Sequence, residues 1–424
     1  MPATGLRKCL PLLPALSLIA LIVAGAASPS FAHGMPDAAA EAQMPADSAV
    51  LDEAWRVIRD NFYRRDLSAV GWDQVRDRLR ADYGRATSRD DRAAVINRML
   101  ETLNASHTHL YTPGEPAYYQ LMDIFAHGLR HDLPRLFPNG SVVYPGIGIF
   151  TRQLDGRVFI SGTLDGLPAA RAGLLVGDEI LSADGRPFTP VGSFRGKVGE
   201  PVELKIRRAP NGPIMAVTVR PELIQPNQAF LKAQRESARV IEADGKRIGY
   251  IRIWSYAGRQ YQDALEAELA SGKLKDADAV IWDLRDGWGG AQPDYLDIFN
   301  PRAPVMTLKD RNGEQDMVNF RWRKPVTLLV NAGTRSGKEV LTFGFKKYGF
   351  GEVVGERTAG ALLAARAFLL SDDSLMIVAV DDVLVDGERL EGRGVDPTIR
   401  VPFDLPYAAG RDPQLDRAVR SLTG

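Results

Sequence analysis

A serine lies where a predicted strand turns into a predicted helix. The apolar run of residues 326–331 predicts the strand and residues 337–347 predict the helix, so Ser336 stands near their junction. There a hydroxyl is lifted out of the sheet beside the positive end of the helix, where the next N–H can stabilise an oxyanion. Ser336 is therefore a candidate nucleophile. Serine is also a frequent helix N-cap, and the local residues leave that alternative open.

A charged, glycine-rich turn follows a second strand-like run. Residues 279–284 predict a buried strand, and the segment DLRDGWGG at its end carries Gly289 and Gly290. Paired glycines allow an amide N–H to face a substrate oxygen, as an oxyanion hole requires. A strand-end turn that needs positive φ explains the same glycines equally well.

Four residues at the start of a β-rich region have a composition suited to peptide binding. Gly146, Ile147, Gly148 and Ile149 combine small residues, which let amides turn toward a carboxylate, with an apolar strand edge to which a peptide can pair. Together with the later segments LPAARAGL and GDEIL, they resemble a PDZ domain of the bacterial protease type. The alternative is that these glycines only form hairpin turns.

The composition is that of a globular protein and excludes several functional classes. The chain has 424 residues, of which 45% are hydrophobic and 25% charged, a size that predicts two or three domains. Basic and acidic residues number 53 each, so no net field attracts nucleic acid. The single cysteine, Cys9, excludes a disulfide framework and a cysteine-ligated metal fold.

The first 32 residues are predicted to be a signal peptide. Arg7 and Lys8 precede an apolar run at residues 10–27, and small residues lead to a cleavage site after Ala32. Cleavage would remove Cys9 and leave a cysteine-free protein, which suits an oxidising compartment. We therefore expect a periplasmic or extracellular location. An uncleaved membrane anchor is the alternative.

The remaining pattern predicts an α+β multidomain fold. Apolar residues recur at helical spacing in the first unit, short strands with Gly-bearing turns follow, and strands alternate with helices in the last unit, as in an α/β layer with crossover connections. The predicted divisions are a signal peptide (residues 1–32), a flexible leader (33–48), an N-terminal helical domain (49–128), a PDZ-like domain (129–222) and an α/β core (223–424).

Taken in this order, the motifs resemble the C-terminal processing peptidase and tricorn-core superfamily over roughly residues 49–402. The resemblance rests on the helical segment, the PDZ-like unit, the DLR turn with its paired glycines, Ser336 three residues before Glu339, and the segment VGERT. It implies a PDZ module beside a ClpP–crotonase-like peptidase core and serine endopeptidase activity. It places the nucleophile at Ser336 and the oxyanion donors at Gly337 and at Gly289 or Gly290.

One departure from the processing peptidases concerns the general base. Their lysine follows a glycine in the segment after Glu-Arg-Thr, whereas here that position is Ala361. A serine hydroxyl needs another base near neutral pH. The tricorn-type branch implies one: His107 would deprotonate Ser336, while Ser106 and Glu391 would orient and polarise the site.

Each of these site residues has an alternative interpretation. His107 could be a surface histidine, or half of a metal site with His109, although no third ligand stands out. Glu391 could lie in a solvated turn. Lys338 could serve as the base, but the direction of the helix should carry its side chain away from Ser336.

The sequence therefore predicts a secreted serine peptidase that cleaves unfolded or C-terminally exposed protein segments. No metal or organic cofactor is implied, because side chains and amides fill every role. Peptides or proteins, and not nucleic acid, are the expected partners, and the oligomeric state stays open. Because Ala361 replaces the lysine, a catalytically inactive peptide-binding scaffold is the main alternative. A hydrophobic-ligand carrier of the same core fold is a weaker one.

Overall fold

The computed structural model describes residues 48–302, 304–317 and 320–424. The predicted signal peptide and all of the leader except Ser48 lie outside the described residues. The helices are α1 (Ala49–Asn61), α2 (Trp72–Arg85), α3 (Arg89–Glu101), α4 (Pro116–Ile124), α5 (Leu133–Leu136), α6 (Pro168–Arg171), α7 (Pro226–Ser237), α8 (Gln260–Ala270), α9 (Gly337–Lys347) and α10 (Pro413–Thr423), with 3₁₀ helices at Ser68–Val70, Gly192–Phe194 and Pro293–Phe299.

The strands form several sheets. They are β1 (His109–Tyr111), β2 (Tyr144–Gly146), β3 (Ile149–Leu154), β4 (Arg157–Thr163), β5 (Glu179–Ala183), β6 (Val202–Arg207), β7 (Ile214–Val219), β8 (Glu222–Ile224), β9 (Arg239–Ala243), β10 (Lys246–Arg252), β11 (Ala279–Asp283), β12 (Thr307–Lys309), β13 (Gln315–Met317), β14 (Val326–Val330), β15 (Glu352–Gly355), β16 (Leu363–Leu369), β17 (Leu375–Asp382), β18 (Leu384–Val385), β19 (Glu388–Arg389) and β20 (Ile399–Arg400).

The predicted N-terminal helical domain, residues 49–128, contains the helices α1 to α4 and also the strand β1. Helix α3 begins after Ser88, whose hydroxyl accepts a hydrogen bond from the Asp91 amide at 3.0 Å and so caps the helix. The buried faces of α1 and α3, including Ile58 and Met99, join one apolar cluster with residues of β16 and β17. The helices are therefore packed on the C-terminal half of the chain.

The PDZ-like region is a five-stranded antiparallel sheet in the order β3-β4-β5-β6-β7. Two strands lie within residues 144–154: β2 pairs with β8 in a separate sheet, and β3 begins at Ile149. Gly148, at φ +75°, separates the two strands because its backbone adopts a left-handed conformation. Strand β3 lies at the edge of its sheet, as peptide addition requires.

The core is a six-stranded sheet in the order β20-β15-β14-β11-β10-β9. All its strands are parallel except the edge strand β9, which pairs antiparallel with β10. Helix α9 follows β14 on a crossover to β15, as the alternating pattern predicts. A 3₁₀ helix at Pro293–Phe299 lies between β11 and β14.

A three-stranded sheet connects the beginning of the chain to its end. Strand β1 pairs antiparallel with β17, with Leu110 opposite Met376, and β17 pairs with β16. This pairing holds the segment before β1, which contains Ser106 and His107, against the core. Among the helices of the described ranges, none is long and apolar enough to cross a membrane.

The β1–β17 contact gives a stability prediction. Leu110 is buried and central to the contact, so Leu110→Ala should lower the free energy of unfolding by about 2–5 kcal/mol through lost burial and a residual cavity. Leu384, which is 60% exposed, is the matched control and should change it by less than about 0.5 kcal/mol when replaced by alanine. Denaturant titration of both variants measures the difference. Equal losses would contradict the assigned role of β1.

Candidate active site

Ser336 occupies a strained turn between β14 and α9. Its φ of 57° and ψ of −133° are unusual for a residue with a side chain, and such a conformation costs about 1–3 kcal/mol unless its surroundings hold it. The preceding turn is closed by the Thr334 hydroxyl, which accepts from the Asn331 amide and donates to the Leu284 carbonyl. The Ser336 amide donates to the Ala361 carbonyl at 2.9 Å. Ser336 is thus fixed at the N-cap of α9.

Glu339 ties the serine turn to the segment that contains Ala361. One carboxylate oxygen accepts from the Thr358 hydroxyl at 2.6 Å and the Gly360 amide at 2.7 Å, and the other from the Ala361 amide at 2.8 Å and the Ser336 amide at 3.3 Å. Burial raises the pKa of Glu339, and these hydrogen bonds act in the opposite direction. Position 361 therefore lies beside Ser336, and alanine supplies no amine there.

A carboxylate, a hydroxyl and an imidazole form a hydrogen-bonded chain. The Ser106 hydroxyl donates to Glu391 Oε2 at 2.8 Å, and the Ser106 amide donates to Glu391 Oε1 at 2.9 Å. His107 Nδ1 lies 2.9 Å from the Ser106 hydroxyl oxygen. Because the single hydroxyl proton goes to the carboxylate, this oxygen accepts from Nδ1–H, which leaves Nε2 of a neutral ring unprotonated. That tautomer is the one a general base needs.

Burial lowers the pKa of His107 to about 4. The positive charge of Arg335 acts in the same direction, whereas the negative charge of Glu391 favours protonation. Desolvation is the largest effect, so the imidazole is neutral at pH 7 and can accept a proton.

Ser336 and His107 line the same cavity, whose volume is about 750 Å³. Residues from seven separate stretches of the chain border it. The β1–β17 pairing brings the N-terminal stretch to the end of the core sheet. Within the described part of the chain, no direct hydrogen bond joins the Ser336 hydroxyl to the His107 ring. Contacts of this kind are often long in unliganded enzymes and tighten when substrate binds.

Three glycines approach the serine closely. A Cβ on Gly289 would lie 2.4 Å from the Cβ of Ser336, and a Cβ on Gly337 would lie 3.0 Å from the Gly290 nitrogen. Gly290 also has a φ of +100°. Only glycine fits these positions, and the backbones of the DLRDGWGG turn and of the helix start therefore meet at Ser336. This arrangement suits donation of two amides to one oxyanion.

Lys338 is fully buried and makes structural contacts. Its ammonium donates to the carbonyls of Ile253 at 2.6 Å and Asp286 at 2.7 Å, and lies 3.4 Å from that of Trp254. Burial lowers its pKa to about 7. Lys338 therefore connects the DLRDGWGG turn to the residue that follows β10.

The other histidines lie outside the Glu391–Ser106–His107 chain. His109 Nε2 is 3.3 Å from the Asn97 side-chain nitrogen, while His127 and His131 are exposed. Among the described residues, no group of three or more His, Cys, Asp or Glu side chains converges as a metal site would require. In the part of the chain that the structure describes, His107 and His109 are thus not joined by a third such side chain.

The four predicted peptide-binding residues lie away from the cavity. Gly146 belongs to β2, and Ile149 opens the edge strand β3. Between them, the carbonyl of Ile147 accepts from the Ala169 amide at 2.8 Å, and that of Gly148 accepts from Leu164 at 2.9 Å. These bonds hold the loop against α6. Its contribution to peptide binding stays a prediction.

Sequence reasoning missed how the charged residues around the serine divide their tasks. Glu339 accepts a hydrogen bond from the segment that contains Thr358, and Lys338 donates to backbone carbonyls. Arg335 lines the cavity. Three charges within five residues at the start of a buried helix were the available signal. Their partners lie on other elements, so the signal did not identify them.

Comparison with known proteins identifies the three parts. Residues 247–401 match peptidase family S41, residues 48–101 the tricorn protease C1 domain, and residues 159–208 a PDZ domain. The expected resemblance to the C-terminal processing peptidase and tricorn superfamily is therefore confirmed.

The relatives include tricorn protease homologs and carboxyl-terminal-processing peptidases. The chain is 26% identical over 391 residues to tricorn protease homolog 1 of Streptomyces coelicolor, covering 87% of the chain but 34% of that protein. It is 26% identical over 372 residues to carboxyl-terminal-processing peptidase 3, chloroplastic, of Arabidopsis thaliana, covering 82% and 68%. The chain thus spans about a third of that tricorn relative.

A solved structure agrees with the S41 fold. The photosystem II D1 C-terminal processing protease superposes with a TM-score of 0.50 at 21% identity, covering 90% of this chain and 98% of that one. Together with the PDZ match, this likeness confirms the expected α+β multidomain fold.

The contact of Gly289 with Ser336 gives an activity prediction. Gly289→Ala places a methyl group against the serine Cβ, so it should displace the serine or the turn and lower kcat/KM by about 10–10³-fold. Gly84, in α2, has nothing within 4 Å of its added Cβ, so Gly84→Ala is the control and should leave kcat/KM unchanged. Peptide hydrolysis is measured where both variants are folded. Full activity in Gly289→Ala would contradict this geometry.

Proposed function

We propose that this protein is a serine endopeptidase in which Ser336 is the nucleophile and His107 the general base. The observation that carries the proposal is the hydrogen-bonded chain from Glu391 through Ser106 to His107, which ends at the cavity that also contains Ser336. The neutral His107 ring, with Nε2 unprotonated, takes the role of the lysine amine that Ala361 cannot supply.

In the acylation step, Ser336 Oγ attacks the carbonyl carbon of the scissile peptide bond. The hydroxyl proton passes to His107 Nε2, and the negative charge develops on the former carbonyl oxygen. The amides of Gly337 and of Gly289 or Gly290 donate to that oxygen. Collapse of the tetrahedral intermediate breaks the C–N bond, and the His107 proton moves to the leaving amine. The products are an ester on Ser336 and a free amine.

Deacylation reverses these roles with water as the nucleophile. Water attacks the ester carbonyl and gives one proton to His107 Nε2, and the second tetrahedral intermediate expels Ser336 Oγ, which regains that proton. The product is a carboxylic acid, ionised at neutral pH. Throughout, Glu391 stabilises the imidazolium through the Ser106 hydroxyl, so the carboxylate does not itself need to take the proton.

The substrate class follows from the PDZ unit and from the relatives. The free edge of β3, beside Gly146, Ile147, Gly148 and Ile149, suits pairing with an extended peptide, and we infer that it captures unfolded or C-terminally exposed segments. Relatives named carboxyl-terminal-processing proteases support this inference. We also infer secretion to a periplasmic or extracellular space through the N-terminal signal peptide.

A peptide-binding scaffold without catalysis is the second candidate. The observation that favours it is Ala361, which lies beside Ser336 where the processing peptidases would carry their lysine. The reactivity of the Ser336 hydroxyl distinguishes the peptidase from the scaffold, because only the peptidase needs an activated serine.

A labelled fluorophosphonate tests which candidate applies. The wild-type protein should be modified stoichiometrically at Ser336, and Ser336→Ala should be unlabelled and lose peptide hydrolysis by about 10⁴-fold or more while keeping its circular dichroism spectrum. Mass spectrometry of the labelled peptide locates the modification. An inert wild-type protein that still binds C-terminal peptides would establish the scaffold, and full hydrolysis by Ser336→Ala would reject the nucleophile.

A further inference from the structure

The cavity that contains Ser336 and His107 has one permanently charged side chain. Among the described residues that line it there is one Arg, no Lys and neither Asp nor Glu, and that cation is Arg335. Most of the remaining lining is apolar or aromatic and includes Leu121, Phe125 and Ile377. A cation in such surroundings favours an anionic group more strongly than the same cation in water does.

Arg335 has no carboxylate partner within the described residues. Its Nε donates to the Gly333 carbonyl over a long 3.4 Å, and its guanidinium carbon lies 5.8 Å from the centre of the Trp288 ring. Two acidic side chains near the Ser336 turn are committed elsewhere: Asp286 accepts from Asn331 and pairs with Arg252, and Glu339 accepts four hydrogen bonds.

The position of Arg335 directs its charge toward the reacting groups. It immediately precedes Ser336, and its positive charge opposes protonation of His107 and favours ionisation of Tyr111, both of which line the cavity. A half-buried guanidinium with its terminal nitrogens uncommitted to protein carboxylates can form paired hydrogen bonds with a carboxylate of a ligand.

We propose that Arg335 selects substrates with a carboxylate next to the scissile bond, while the apolar lining accepts an apolar neighbour. This inference rests on the proposed peptidase function and specifies its substrate class. The carboxylate is either an Asp or Glu side chain or the free C-terminus of a substrate cut close to its end. Both present the same planar group to the guanidinium.

Arg335 has a competing role, in which its contact with the Trp288 ring supports the DLRDGWGG turn. A supporting residue affects all substrates equally, whereas a selecting residue affects only those with the matching charge. The ratio of kcat/KM values for paired substrates therefore separates the two roles.

The test uses matched peptides that carry Glu or Gln at each position flanking the cleaved bond, and peptides cut one residue from a C-terminal acid or amide. Wild-type protein should prefer the acid of one pair by about 10–100-fold. In Arg335→Gln this ratio should fall to near one, Arg335→Lys should retain part of it, and Arg335→Glu should favour a Lys-containing peptide. The pair that responds identifies the source of the carboxylate.

Two results would overturn the proposal: a wild-type ratio near one for every pair, or equal losses for acid and amide peptides in Arg335→Gln. The second result would establish the supporting role. Dissociation constants of the same peptides, measured with Ser336→Ala and with Ser336→Ala combined with Arg335→Gln, give the ratio without turnover. A failure of catalysis is thereby distinguished from a failure of charge selection.

Discussion

The proposed site depends on one partly buried hydrogen-bonded chain, in which the Glu391 carboxylate holds the Ser106 hydroxyl and that hydroxyl orients the His107 ring. A carboxylate is expensive to bury unless it is well paired, and Glu391 also accepts the amides of Ser106 and Leu362. These bonds fix the proton of the ring on Nδ1. The same burial that makes protonation of His107 difficult keeps the ring neutral and available.

Ser106 and Glu391, two members of this hydrogen-bonded chain, are 285 positions apart in the sequence. Its members meet because β1 pairs with β17 and because the apolar faces of the N-terminal helices pack on the β16–β17 hairpin. On the other side, Glu339 holds the Ala361 segment against the strained Ser336 turn. His107 and Ser336 are therefore each fixed by tertiary contacts, and the backbone strain at Ser336 is held by its neighbours.

Much of the fold could be predicted from local sequence patterns. The strand before Ser336 and the helix after it were predictable because a buried parallel strand is continuously apolar and α9 begins at a capping residue. Helix α10 was missed, although Asp412 caps it and Pro413 opens it, two signals that were available. Strand β16 was missed because Arg366 and a register shift interrupt its pattern.

The sequence predicted which residues form the site but not the contacts that they make. Resemblance supplied Ser336, Ser106, His107 and Glu391, but the role of Glu339 could not be read from the sequence, because its partners at Thr358, Gly360 and Ala361 are set by the fold. The same holds for Arg335. Whether a charge is paired or faces a cavity depends on neighbours that sequence spacing does not define.

The pH dependence of Ser336 modification by a fluorophosphonate tests the central claim most directly. His107 acts as a base only when neutral, so with a pKa of about 4 the second-order rate constant should stay high at pH 6 and be lost as the pH falls through about 4. The unfolded chain binds this proton more readily, so stability falls between about pH 6.5 and 4, and circular dichroism must show a folded protein at each pH. A midpoint at or above 6.5, or a profile unchanged in His107→Ala, would contradict the account.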